Sequence, residues 1–235
     1  MSERDDLLVS VAKEIKTYRK GDLPQPTPAH VDRWLNQFTP SQQLPFLREF
    51  EHVIKQTFFT RKQVKIFLHS LVTNAKLAGA DLSNYWSSTN FLSIQQHGQS
   101  QKEMLKLFAK CLKDECGLYL EDCGEDGGDF IYLDDVMFSG NRVGNDLEPW
   151  IVDSAPQVAT IHVIVAALHE GGHYQVDRRL KGVIKNSGKN ITIKYWRSVE
   201  IENRKWFKNS SGVLWPTAIP NVTEVEEYIA IPSKF

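Results

Sequence analysis

Asp134 and Asp135 are two adjacent acids that repel each other, and they follow directly on the apolar run Phe130-Ile131-Tyr132-Leu133, which reads as a buried strand. Adjacent carboxylates stay ionised beside an apolar strand only when hydroxyl donors or a cation offset their repulsion. The pair therefore points to a polyhydroxyl ligand, a divalent metal, or both. Just downstream, Ser139-Gly140-Asn141 joins a small hydroxyl residue to a glycine that lets backbone approach closely, and the amides of a helix starting there would attract phosphate. A strand ending in acids places them at the carboxyl edge of a sheet, where open α/β folds bind ligands.

The elements that must hold this segment follow from periodicity. Up to about Gly79 the pattern is helical, interrupted by Gly21-Asp22-Leu23-Pro24-Gln25-Pro26. Thr27-Pro28 offers an N-cap for a helix carrying Val31, Trp34, Leu35 and Phe38, and Ser41 one for a helix carrying Phe46, Phe50, Val53 and Ile54. Thr60 with Gln63 forms a capping-box pattern ahead of Val64, Phe67, Leu68 and Leu71, with Gly79 as the stop. After Asp81, strands are expected at residues 90–95, 118–120, 130–133, 161–167 and 191–195. Ser100 with Glu103 should cap a helix carrying Met104, Leu105, Phe108 and Leu112, which makes Gln96-His97-Gly98-Gln99 a strand-to-helix loop; a further helix is expected over residues 174–184. The expected fold is α/β, a mostly parallel sheet flanked by helices over residues 81–235, after a helical domain over residues 1–80.

Composition narrows the classes. With 41% hydrophobic and 24% charged residues and a formal charge of -1, the 235-residue chain shows neither the signature of disorder nor a global basic excess. Nucleic-acid binding would need a local patch. Arg61, Lys62 and Lys65 supply one, either as part of a winged-helix-like reader of nucleic acid or partner protein, or as the solvated basic end of a packed helical cap. The charged start, Met1-Ser2-Glu3-Arg4-Asp5-Asp6, lacks a secretory signal, so the expected compartment is the cytoplasm. The longest apolar run, residues 158–168, is interrupted by Thr160 and His162 and is about half of the roughly 20 residues a bilayer requires, so no membrane is expected. Cys111, Cys116 and Cys123 lack C-x-x-C spacing and read as reduced thiols.

The succession over residues 130–143, an apolar strand, two acids, an aliphatic residue, then a small hydroxyl residue and glycine entering a helix, resembles the ribose-phosphate motif of type I phosphoribosyltransferases. That resemblance implies a phosphoribosyltransferase-like fold and a ligand such as phosphoribosyl pyrophosphate or another ribose 5-phosphate compound. By position, Asp134 and Asp135 would hold the ribose hydroxyls and Mg2+, while Phe138, Ser139, Gly140, Asn141 and Arg142 would wrap the 5′-phosphate. Arg142 departs from the family's usual threonine or serine, although a guanidinium also partners phosphate well. The loop with His97, Gly98 and Ser100 falls where the family places its pyrophosphate loop but lacks the usual basic residue, and His169 falls at the next ligand-facing strand end. A wider likeness, carried by Arg33-Trp34-Leu35-Asn36-Gln37-Phe38, the acid pair and Trp215-Pro216, is to the phosphoribosyltransferase-like effectors of bacterial antiviral systems, including some retrons. It implies a defence effector partnered by other components, such as a reverse transcriptase with its RNA and DNA.

Two other chemistries match short motifs. Tyr132-Leu133-Asp134-Asp135 fits the Y-x-D-D magnesium element of reverse transcriptases, which would need an earlier aspartate after a strand; Asp81 follows what reads as a helix end. His169-Glu170-Gly171-Gly172-His173 fits H-E-x-x-H zinc proteases, with Glu200 and Glu202 downstream as third-ligand candidates, but the two glycines disfavour the helix that motif requires. Trp196, Trp206 and Trp215 with Arg197, Arg204 and Lys205 read as core and rim residues, with base stacking as the alternative. Enzyme and non-catalytic nucleotide sensor both remain open, the weak pyrophosphate loop favouring the second.

Overall fold

The structure, a computed structural model, describes residues 2–125, 128–202 and 212; Trp206, Trp215, Pro216, Arg204 and Lys205 lie outside the described residues. Contacts divide the described chain into two units at Thr60–Arg61.

The first unit holds helices α1 (Glu3–Glu14), α2 (Pro28–Leu35) and α3 (Pro40–Thr57). Ser2 begins α1 with a capping box through Asp5, and Thr27 caps α2 by accepting from the His30 amide, with proline at the first turn as expected. Helix α3 starts at Pro40 behind Thr39, not at Ser41, because proline itself suits the first helical position. Leu8, Val11, Val31, Leu35 and Leu47 form the core, with Trp34, Phe38, Phe46 and Phe50 packed around it. No β-hairpin that could act as a wing is found among this unit's described residues, only an isolated Lys20–Leu23 bridge.

The second unit runs through α4 (Arg61–Val72), α5 (Ala75–Ala78), α6 (Leu82–Ser88), β1 (Asn90–Phe91), α7 (Ser100–Cys116), β2 (Asp129–Met137), α8 (Asn141–Asp153), β3 (Val158–His169), α9 (Glu170–Ser187) and β4 (Asn190–Ile201). Its four strands pair in parallel in the order β1-β2-β3-β4. The fold is thus an α/β parallel sheet flanked by helices. Alternation along β2 sends Tyr132 into one core with Val143, Leu147, Val163, Val176 and Leu180, and Ile131 and Leu133 into another with Phe67, Leu68, Trp86, Phe108 and Leu112. Helices α8 and α9 therefore cover one face of the sheet, and α4, α6 and α7 cover the other.

Helices α4 and α5, expected with the amino-terminal helices up to residue 80, bury their apolar faces in the sheet's core instead, as does α6 just beyond them. The change of sequence periodicity near Asp81 marks a change of element, while the change of core comes earlier. Arg61, Lys62 and Lys65 accordingly belong to the sheet unit. There α4 meets α7 through Lys65 and Asp114 (3.7 Å) and through His69 and Glu115 (2.8 Å), so acids across the helix pair offset part of the basic face.

Strand lengths also differ from expectation. Strand β1 pairs for only two residues, because the amides of Ile94 and Gln95 turn to the Gln101 side chain (2.8 and 2.9 Å). Residues 120–122 form a 3-10 turn, not a strand. Strands β3 and β4 are twelve residues each, longer than the apolar runs that signalled them, since ladder hydrogen bonds extend through polar residues at both ends. Asp129 begins β2 and accepts from Tyr85 Oη (2.8 Å) and His162 Nε2 (2.9 Å). Trp196 Nε1 donates to His162 Nδ1 (2.9 Å), which leaves the imidazole proton on Nε2. Trp196 is therefore a half-buried residue packed against the core that ties β4 to β3. At the far end of α8, Lys189 Nζ donates to the carbonyls of Ile151, Val152 and Ala155 and anchors the helix whose other end forms the site.

Candidate functional site

The connections change face between β1 and β3: α7 lies on one side of the sheet and α8 on the other. The loops after β1 and β2 therefore diverge at the carboxyl edge and leave a crevice, the position where open α/β sheets hold ligands. A cleft of about 870 Å3 occupies it, lined by Gln96 and His97 from the first loop and by residues 135–143 with Asn145, Asp146 and Arg179.

The acid pair is split by the pleat. The strand does not end at Leu133 but continues to Met137, so Asp134 and Asp135 leave it on opposite faces. Asp134 is fully buried, and Asp135 is exposed on the cleft wall. Asp134 Oδ1 accepts from the Asp135 amide (2.9 Å), while its buried Oδ2 has no hydrogen-bond partner among the described residues. Burial, aided by the Asp135 charge, pushes the Asp134 carboxyl up to about 6. Ser100 opposes that shift. Its hydroxyl oxygen accepts from Arg142 Nη1 (3.0 Å) and Gln95 Nε2 (3.0 Å), which leaves its own proton free to favour the charged carboxylate nearby.

The turn from β2 to α8 is Phe138-Ser139-Gly140. Gly140 takes a left-handed φ of 77°, and a Cβ on it would come within 2.7 Å of the Gly172 carbonyl and 2.8 Å of Val176. Glycine is thus required by the packing of two turns against each other, a constraint beyond the close approach to phosphate that the sequence suggested. Helix α8 has no side-chain cap; Ser139 Oγ accepts weakly from the Asn141 amide (3.3 Å). Its first-turn residues Asn141 and Arg142, with Ser139, line one end of the cleft, where helix amides and a guanidinium are donors of the kind that suit an anion.

The loop over residues 95–100 is tied to this helix. Asp146, buried on α8, accepts from Tyr132 Oη (2.7 Å) and from the Gln96 amide (3.4 Å). The Arg142 guanidinium crosses to the same loop, reaching Ser100 and lying 3.5 Å from where a Cβ on Gly98 would sit. Ser100 is the first residue of α7, not its cap, because its hydroxyl is taken up by Arg142 and Gln95. Its expected capping-box partner Glu103 pairs with Lys106.

The turn from β3 to α9 contains the histidine motif. His169 is the N-cap, its Nδ1 accepting from the Gly172 amide (3.3 Å), and its ring packs on Phe138 with centroids 4.6 Å apart. His173 packs instead on Tyr195 (4.3 Å), and Glu200 pairs with Arg197. Because His169 precedes the helix, the two histidines do not share a helical face as a zinc protease requires. No three His, Cys, Asp or Glu side chains gather to hold a metal among the described residues. Asp81, the earlier aspartate a polymerase would use, caps α6 by accepting from the Asn84 amide (3.1 Å).

Of the residues singled out in sequence, His97, Asp135, Phe138, Ser139, Gly140, Asn141 and Arg142 line the cleft. Asp134, Gly98, Ser100 and His169 do not line it: Asp134 is buried, Ser100 and His169 are half-buried, and Gly98 is exposed on its loop. Sequence reasoning missed Asn145, Asp146 and Arg179. Asp146 had a signal: it interrupts the helical apolar stripe Val143, Leu147, Ile151, which marks an acid on a buried face. Arg179, whose guanidinium packs over Gly144 and pairs with Glu148 and Asn145, had none in α9's own pattern.

Carboxylate oxygens are the donors magnesium prefers, usually one or two of them completed by phosphates and water. Exposed Asp135 and the unpartnered Oδ2 of Asp134 fit that donor chemistry, although the pleat keeps the pair from acting as a ready-made chelate. Compared with known proteins, residues 31–235 match the model of one family, PRTase-CE, which is phosphoribosyltransferase-like. No curated protein and no solved structure matches the chain.

Proposed function

We propose, from the premise that this chain belongs to the PRTase-CE family, that its cleft binds phosphoribosyl pyrophosphate or a related ribose 5-phosphate compound with Mg2+ and transfers or hydrolyses the phosphoribosyl group. The observation that carries this reading is one continuous wall: an exposed acid, Asp135, runs within five residues into the uncapped amide end of α8. An acid suits sugar hydroxyls, and helix amides with a guanidinium suit phosphate.

In this reading the 5′-phosphate sits on the first turn of α8 with Arg142 and Ser139, and the ribose hydroxyls donate to Asp135. Bound Mg2+ would supply charge neutralisation for the leaving pyrophosphate. As the bond from C1 to pyrophosphate breaks, positive charge grows on the ribose ring, and the carboxylates of Asp135 and Asp134 stabilise it electrostatically. The ring then passes to a nitrogen acceptor or to water. Asp134, whose carboxyl is pushed up to about 6, holds a negative charge at neutral pH that a ligand or cation reaching Oδ2 would reinforce.

A second reading, a nucleotide sensor without turnover, is favoured by one feature. The loop over residues 95–100 carries no lysine or arginine, and of the cleft-lining cations Arg142 and Arg179, Arg179 is already paired with Glu148. Under either reading the resemblance to antiviral effectors supports a defence role in the cytoplasm with partner components, such as a reverse transcriptase and its nucleic acids. Incubation of labelled phosphoribosyl pyrophosphate with Mg2+ and a panel of bases, or water alone, tests the proposal. Release of pyrophosphate with a ribosylated or hydrolysed product is expected for the enzyme. Saturable binding without product supports the sensor, and no binding overturns both.

A further inference from the structure

Phe138 is 55% exposed although it lies between the acid and the phosphate end of the cleft. Single exposed apolar residues are ordinary, but this one is held in place. Its ring lies against His169 at 4.6 Å and 33°, and His169 is itself fixed as the cap of α9. Its carbonyl is pressed so closely on Gly172 that a Cβ there would come within 1.8 Å. Val136, 45% exposed, adds a second apolar surface to the same wall. The cleft's volume of about 870 Å3 falls in the upper part of the roughly 300–1,000 Å3 range of sites for drug-sized ligands, which leaves room beyond a ribose phosphate.

A fixed, exposed aromatic ring beside sugar- and phosphate-binding groups suits one further ligand part, a flat heteroaromatic ring. We infer that Phe138, backed by His169, is a stacking platform for the base of a nucleotide, so that the cleft prefers a nucleoside 5′-phosphate to a bare ribose 5-phosphate. This deepens the ribose-phosphate reading above and rests on it. It applies equally to a transferase, for which such a nucleotide is a product, and to a sensor, for which it is the signal.

Calorimetry with Mg2+ tests it, using adenosine 5′-monophosphate and ribose 5-phosphate on the wild type, Phe138→Ala and Phe138→Trp. The wild type should bind the nucleotide about tenfold more tightly than the sugar phosphate, as expected for one base stacked on one aromatic side chain. Phe138→Ala should erase that preference, the nucleotide losing more affinity than ribose 5-phosphate does, and Phe138→Trp should retain it. Equal wild-type affinities, or a preference that survives in Phe138→Ala, overturn the platform alone. Absence of ribose 5-phosphate binding to the wild type overturns the underlying reading as well. Thermal melting of the variants confirms that the ring, and not the fold, has been changed.

Discussion

Strand β2 reaches α8 through three residues, Phe138-Ser139-Gly140, whereas β3 passes into α9 with none between them, His169 ending one and Glu170 beginning the other. Both turns lie at the same edge of the sheet, and each pairs an aromatic ring with glycine. They differ in where the helix's first amides go. At α9 the His169 side chain takes up the Gly172 amide, so the turn is closed on itself. At α8 the N-cap is the left-handed Gly140, which has no side chain to give; only Ser139 Oγ reaches back to the Asn141 amide, and the next amides of the first turn are left without a side-chain cap beside the cleft. A helix start whose N-cap has no side chain keeps backbone donors available, and here the neighbouring capped turn supplies the support.

That support is steric, and removing it is expected to have the largest effect. In Gly172→Ala the new methyl group would meet the Phe138 carbonyl at 1.8 Å, forcing the two turns apart. Chemical denaturation should show a loss of about 3–5 kcal/mol, the range of severe backbone and packing lesions. A variant within about 1 kcal/mol of wild type, the ordinary scale of point mutations, would mean that the turns are not tightly coupled.

A smaller effect of opposite sign is expected from Asp134, the buried acid on the strand that feeds the open turn. Its folded pKa of about 6 stands above the ordinary aspartate value of 3.8, so the folded state binds more protons than the unfolded state between those limits. This contribution to stability is complete below about 4 and is lost as pH rises through about 6. Asp134→Asn should therefore stabilise the metal-free protein at pH 7.5 by about 1–3 kcal/mol and remove that part of the pH profile. Equal or lower stability with an unchanged profile would show that Asp134 is not the strained group.

Much of this contrast was legible in the sequence because it is local. The apolar run before Asp134-Asp135, the Ser139-Gly140 turn and the helix behind it each carry their own signal, and they identified the cleft wall from Asp135 to Arg142. What the sequence hid is set by partners distant along the chain. Gly172 gives no sign in its own neighbourhood that it faces Phe138, and Ser100 reads as a helix cap until Arg142 arrives from 42 residues away. The burial of Asp134 and the exposure of Asp135 depend on β2 continuing to Met137 through two acids, against their low strand propensity, because β3 pairs alongside. The same tertiary effect drew α4 to α6 into the sheet's core.

The central claim is that the open turn, not the closed one, holds the phosphate of a ribose phosphate. Calorimetric titration of ribose 5-phosphate with Mg2+ into wild type, Arg142→Ala and Arg179→Ala tests it most directly. Arg142→Ala should lose about 1.5–3 kcal/mol of binding, the value of a charge-assisted contact, with its melting temperature preserved. Arg179→Ala, which removes a cation already committed to Glu148, should bind much more nearly like wild type. Wild-type affinity in Arg142→Ala would contradict the account and place the phosphate elsewhere.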